Sequence, residues 1–126
     1  VKKPVMKKSL LFCLSLVSIL VGFAPHSYAA EKRCGWLQNP TPANWWLVDR
    51  DGAWTISSQG SYRAKGMDAI PDVSIREYVA TNGGYGYACA CLDVSANRRT
   101  KRITTIYRAK QLPLSTCRKD PALPNE

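Results

Sequence analysis

Four cysteines, Cys34, Cys89, Cys91 and Cys117, constrain this chain more than any other feature. An even set of cysteines in a short chain bound for an oxidising compartment reads as a disulfide framework. Cys89 and Cys91 stand two apart in a segment that reads as a strand, so their side chains share a face and a bridge between them would be strained. Two pairings survive: Cys34 with Cys89 and Cys91 with Cys117, or Cys34 with Cys91 and Cys89 with Cys117. Either ties both ends of the domain to one central strand, and each bridge should contribute about 3 to 4 kcal/mol by restricting the unfolded chain. A four-cysteine zinc site is the rival reading. The C-x-C spacing and the oxidising compartment weigh against it.

The compartment is read from the amino end. Lys2, Lys3, Lys7 and Lys8 precede a weakly polar to apolar run from Leu10 to Ala24, followed by Pro25 and the small-residue stretch Ser27-Tyr28-Ala29-Ala30. This is the pattern of a secretory signal over 1–29, with cleavage after Ala29 or Ala30 and Met6 as an alternative initiator. The apolar run falls short of the roughly 20 residues a membrane span needs, so no membrane partner is expected after cleavage. Phe12 stands where a lipidation motif at Cys13 would need a small residue, which disfavours a lipid anchor. The expected location is the periplasm or outside the cell.

Four of the 18 Lys and Arg residues lie in that segment, leaving 14 against 9 Asp and Glu and a net charge of +5 for 30–126. That length supports one domain, and one small enough to gain from covalent staples. Within it, Trp45-Trp46-Leu47-Val48 and Ala53-Trp54-Thr55-Ile56-Ser57 are runs of strand formers flanking Arg50-Asp51-Gly52, a strong hairpin signal. Gln38 to Asn44, with Asn39, Pro40 and Pro42, reads as a turn-rich entry. Gln59 to Gly84 is looser. There, Ser74 to Thr81 fits a helical turn or an edge strand, with Asp72 or Ser74 as a cap.

Tyr85 to Val94 alternates, with Ala88, Ala90, Leu92 and Val94 on one face and Tyr85, Tyr87, Cys89 and Cys91 on the other. Arg102 to Arg108 is β-branched and pairs most simply with it as a second hairpin. Pro113, Pro121 and Pro124 end the regular structure, leaving a proline-rich tail from about 118. The expected fold is therefore mainly β: a small single domain of antiparallel hairpins with at most one short helix, stapled by two disulfides.

The single histidine, His26, lies in the export segment. The domain thus lacks Ser-His, Cys-His and histidine-metal arrangements, and no cofactor or metal motif replaces them. Asp49 with Asp51, and Asp68 with Asp72, are the nearest approach to an acid-base pair, but these aspartates sit where turns favour local hydrogen bonds. Asn82-Gly83-Gly84-Tyr85-Gly86-Tyr87 lacks the Lys-Ser/Thr of a phosphate loop. Arg98-Arg99-Thr100-Lys101-Arg102 reads as a solvated hairpin loop, and nucleic acid is not expected as a partner.

Trp36, Trp45, Trp46 and Trp54 are dense for so small a domain. Adjacent Trp45 and Trp46 must point to opposite faces, one toward the core and one toward solvent. Aromatic rings anchor interfaces, and the glycines beside Tyr85 and Tyr87 ease unusual backbone angles there. The expected recognition patch is Tyr85, Tyr87 and one of Trp45 or Trp46.

Cys34-Gly35-Trp36-Leu37-Gln38-Asn39-Pro40-Thr41-Pro42, Asn44-Trp45-Trp46-Leu47-Val48-Asp49-Arg50-Asp51-Gly52, Tyr85-Gly86-Tyr87-Ala88-Cys89-Ala90-Cys91-Leu92-Asp93 and Cys117-Arg118-Lys119-Asp120 resemble the bacterial family called domain of unknown function 4087. The resemblance implies a small exported proteobacterial protein with no established catalytic role. It supplies no site residues. Export, rigidity and surplus aromatics together lead to the expectation of a non-enzymatic periplasmic binding protein. The first form considered is an inhibitor or immunity protein that occludes a peptidoglycan-active enzyme or toxin. Its positive charge would steer it toward an acidic protein partner. A glycan or peptidoglycan binding module and a structural envelope-stress protein are the alternatives.

Overall fold

The computed structural model describes residues 2–4, 22 and 30–126, so the signal expected over 1–29 lies, apart from those few positions, outside the described residues. The domain is mainly β, with strands β1 (Glu31–Thr41), β2 (Asn44–Asp49), β3 (Gly52–Ser58), β4 (Tyr62–Arg63), β5 (Val79–Asn82), β6 (Tyr85–Asn97) and β7 (Arg102–Leu112), and one short helix, α1 (Leu114–Arg118). Both expected hairpins form. β2 and β3 close with Asp49 opposite Gly52, and β6 and β7 with Asn97 opposite Arg102. The Asp49 carboxylate accepts the Asp51 N–H at 2.8 Å, and Gly52 adopts the positive φ of 113° that this tight turn requires.

The hairpins do not stand alone, because β1 joins them. It pairs antiparallel with β2 on one side and with β6 on the other. At the far end β3 meets β7 in parallel, with Thr55 beside Arg102, so the order β1-β2-β3-β7-β6 returns to β1 and the sheet closes on itself. Closure removes most sheet edges. This connectivity is that of an OB-type Greek-key barrel. Beyond Thr55 the two parallel strands diverge, and the segment after β4 fills the gap. Ala64 donates to the Ile56 carbonyl, Lys65 donates to that of Thr104, and Ile106 donates back to that of Lys65.

β1 overturns the expected turn-rich entry at Gln38 to Asn44. The strand runs through Pro40 to Thr41, and the turn is only Pro42 and Ala43. Pro40 is tolerated because the β1–β2 register shifts between Gln38 and Thr41, where no ladder N–H is needed.

Alternation divides the molecule into two apolar clusters. Leu37, Leu47, Trp54, Ile56, Ala88, Ala90, Leu92, Val94, Ile103 and Ile106 point into the barrel and fill it. On the outer face, Trp36 and Cys89 are buried under Leu114, Cys117 and Leu123 of the C-terminal segment. That segment is thus a lid on the barrel wall. Trp36 is fully buried beneath it and donates its indole N–H to the Pro124 carbonyl at 2.9 Å.

The cysteines pair as Cys34–Cys91 and Cys89–Cys117. Cys34 and Cys91 are direct partners across the β1–β6 ladder, with Cα atoms 4.0 Å apart. Cys89 reaches α1, with a Cα separation of 5.8 Å, and clamps the lid. Two bridges in so small a domain fit an oxidising compartment. No helix among the described residues is long and apolar enough to cross a membrane.

Candidate functional site

The connection between β3 and β6 holds β4, two 3-10 turns at Met67–Ala69 and Val73–Ile75, and β5. Folded against one end of the barrel, it walls a cavity of about 360 Å³, within the usual range for small-ligand sites. The barrel side is set by sheet register. Trp45, Ser57 and Arg63 are successive partners across β2, β3 and β4, so Trp45 and Arg63 flank Ser57, and both line the cavity. The opposite wall is the part of the connection after β4, with Asp72, Ser74 and Tyr78.

Each wall is held by local bonds. Asp72 caps the second 3-10 turn, accepting from the Ser74 N–H at 3.0 Å and from its hydroxyl at 2.5 Å. The expected cap at Asp72 is therefore present, and both expected forms of 74–81 occur in turn: a helical turn, then edge strand β5. Tyr78 donates its hydroxyl to the Gly84 carbonyl at 2.9 Å. Gln111 of β7 ties the connection down by donating to the carbonyls of Val73 and Glu77.

Two titrations are displaced here. The Ser74 hydroxyl, and after it the Ser74 N–H, stabilise the Asp72 carboxylate and hold its pKa below the ordinary 3.8. Burial first, and then the Asp72 charge, push the Tyr78 phenol above 10.0. At neutral pH the cavity therefore presents an ionised Asp72 and a neutral Tyr78. Because the folded pKa of Asp72 is depressed, its cap stabilises the fold above the unfolded pKa and is lost as pH falls through the folded value. A carboxyl-carbon NMR titration should place the Asp72 midpoint below 3.8, and Ser74→Ala should return it toward 3.8. An unchanged midpoint in Ser74→Ala would mean that the hydroxyl does not set it.

Of the residues expected as a patch, Trp46, Tyr85 and Tyr87 share the outer wall, whereas Trp45 lies elsewhere. Trp45 packs against the barrel core and lines the cavity. Trp46 and Tyr87 lie on the outer wall, each opposite Gln38 in β1. Trp46 donates its indole N–H to Gln38. Tyr87 packs edge-on against Trp36 at 5.4 Å between ring centres, and Tyr85 stands two residues along the same face. The glycines there serve a different end from the one expected. A Cβ on Gly86 would sit 1.8 Å from the Val79 carbonyl oxygen, so Gly86 lets β5 cross closely, and Gly83 alone carries the positive φ.

Sequence reasoning missed Arg63, Ser74 and Tyr78 as cavity residues, because the loose segment from Gln59 to Gly84 carries no periodicity that fixes its position. It also missed Ile75. This side chain is 76% exposed in the same short turn as Ser74, and with Tyr107 it makes up the exposed large hydrophobics of the described surface.

Asp49 and Asp51 are both bonded to one arginine. Arg33, on the inner face of β1, is 5% exposed and donates to Asp49 at 2.7 Å and to Asp51 at 3.1 Å. Burial opposes its charge, but those carboxylates and Glu31 outweigh it and raise its pKa. Its guanidinium lies 3.7 Å from the centre of the Trp54 ring, whose N–H goes to Asp49 at 2.9 Å. Lys101, from the basic β6–β7 loop, also stands over Trp54 and donates to the Asp51 carbonyl. Part of that basic cluster therefore closes the barrel end.

A family model described as protein of unknown function (DUF4087) matches residues 28–124. No curated protein and no solved structure matches the chain.

Proposed function

The chain belongs to the DUF4087 family, whose description assigns no activity, and from the site we propose that it is a non-enzymatic binding protein of the bacterial periplasm. In this reading it acts as an inhibitor or immunity protein, taking a segment of a peptidoglycan-active enzyme or toxin into the cavity between the barrel and the β3–β6 connection. The observation that carries this reading is the pairing of a walled aromatic cavity with an exposed Ile75 in the turn that forms one of its walls. Interface anchors are large side chains beside pockets that exclude water. The closed, doubly bridged barrel holds that surface in one shape, so little ordering opposes binding. OB-type barrels bind oligosaccharides elsewhere, but a shared fold does not transfer a ligand.

The test is inhibition of peptidoglycan hydrolysis in periplasmic extracts by the purified domain. Ile75→Asp should keep the wild-type melting temperature and weaken inhibition at least roughly thirtyfold, the equivalent of about 2 kcal/mol at an anchor. Co-sedimentation with purified peptidoglycan in the absence of any inhibition would replace this reading with the glycan-binding one.

A further inference from the structure

The cavity carries donors and charges that the fold leaves unused. Trp36 donates its indole N–H to Pro124, Trp46 to Gln38 and Trp54 to Asp49, whereas that of Trp45 has no partner among the described residues. Arg63, beside it across Ser57, likewise makes no ion pair or side-chain hydrogen bond among the described residues. On the facing wall Asp72, exposed like Arg63, keeps its charge and among the described residues is bonded only to Ser74 and not paired with Arg63. A cation and an anion that line one cavity without meeting are complementary to a ligand that carries both charges. The two aromatic rings suit such a ligand as well, since indole N–H donates to a carboxylate and a phenol face attracts an ammonium.

We propose that the cavity takes a dipolar peptide group, with its carboxylate against Arg63 and the Trp45 N–H, and its ammonium against Asp72 and the Tyr78 ring. This rests on the reading that the cavity is where the partner's segment enters, and adds that this segment presents a carboxylate and an ammonium close together, from side chains or from one terminus and a side chain. A neutral sugar would leave both charges unanswered.

The probe is the zwitterionic dipeptide alanyl-alanine, compared with its N-acetyl and C-amide forms and with neutral chitobiose, each titrated into the 15N-labelled domain. The Trp45 indole N–H resonance should move with the zwitterion, and capping either end should weaken binding about tenfold, the loss of one charge-assisted contact. Arg63→Gln should abolish the penalty of C-amidation alone, and Asp72→Asn, which can still cap its turn, that of N-acetylation alone. Equal affinity for all three dipeptides, preference for chitobiose, or no response at Trp45 would overturn the proposal. Should those results come while Ile75→Asp still weakens inhibition, the dipolar occupant fails and the inhibitor reading stands. An inhibitor indifferent to Ile75→Asp would remove the cavity from the partner's site altogether.

Discussion

Replacing Arg33 by methionine should destabilise the domain by about 3 to 5 kcal/mol, the cost of stranding one partner of a buried ion pair. Methionine keeps most of the stem that packs on Trp54, so the main loss is the charge. Asp49 would then remain in the barrel with its side chain 3% exposed and, among the described residues, no ion-pair partner. Adding Asp49→Asn should recover most of the loss. Asparagine removes the stranded charge while its carbonyl oxygen still accepts from the Trp54 indole and the Asp51 N–H, as the carboxylate does now. Urea denaturation of the two single variants and the double gives the coupling directly. A double variant as unstable as Arg33→Met would show that the guanidinium acts through packing on Trp54 and not through charge.

Removing the Cys89–Cys117 bridge as the double alanine variant should cost about 3.5 kcal/mol for a separation of 28 residues and should also lift the lid from Trp36. The second effect distinguishes the two bridges. Cys34 and Cys91 are already opposite each other in a continuous β1–β6 ladder from Glu31 to Asn39, and their bridge lies on its outer surface. Losing that bridge lowers stability without releasing any segment. Trp36, in contrast, is buried by Leu114, Cys117 and Leu123, a segment that the second bridge alone joins covalently to β6. Fluorescence from Trp36 should therefore shift to the red in Cys89→Ala/Cys117→Ala and stay unchanged in Cys34→Ala/Cys91→Ala. No red shift in the first variant would show that the C-terminal segment holds without its bridge, and a red shift in the second would show that Cys34–Cys91 also keeps Trp36 covered. The same asymmetry makes Cys34–Cys91 the bridge a mild reductant should open first, since Cys34 is exposed and Cys89 is not.

What the sequence settled is local. Period-two alternation set the inner face of β6 at Ala88, Ala90, Leu92 and Val94, all of which are buried. Asp51-Gly52 set the first hairpin, and the strand geometry of Cys89 and Cys91 excluded their pairing with each other. These follow from neighbours in the chain, where backbone angles and side-chain direction are decided. The rest needed contacts between distant residues. Nothing near Thr55 signals that it lies beside Arg102, so barrel closure through the parallel β3–β7 pair was not legible. Pro40 argues locally against a strand, and only the register shift against β2 accommodates it.

The choice between the two disulfide pairings depended on the same long-range geometry, because both satisfied every local rule. Trp45 and Trp46 were known to face apart, but which of them meets a cavity depended on where the unpatterned connection from Gln59 to Gly84 comes to rest. Alternation fixes a side chain's direction relative to its own strand. What it meets in that direction is fixed by the closure of the barrel, which brings Arg63, Asp72 and Tyr78 around Trp45 and places the C-terminal lid over Trp36.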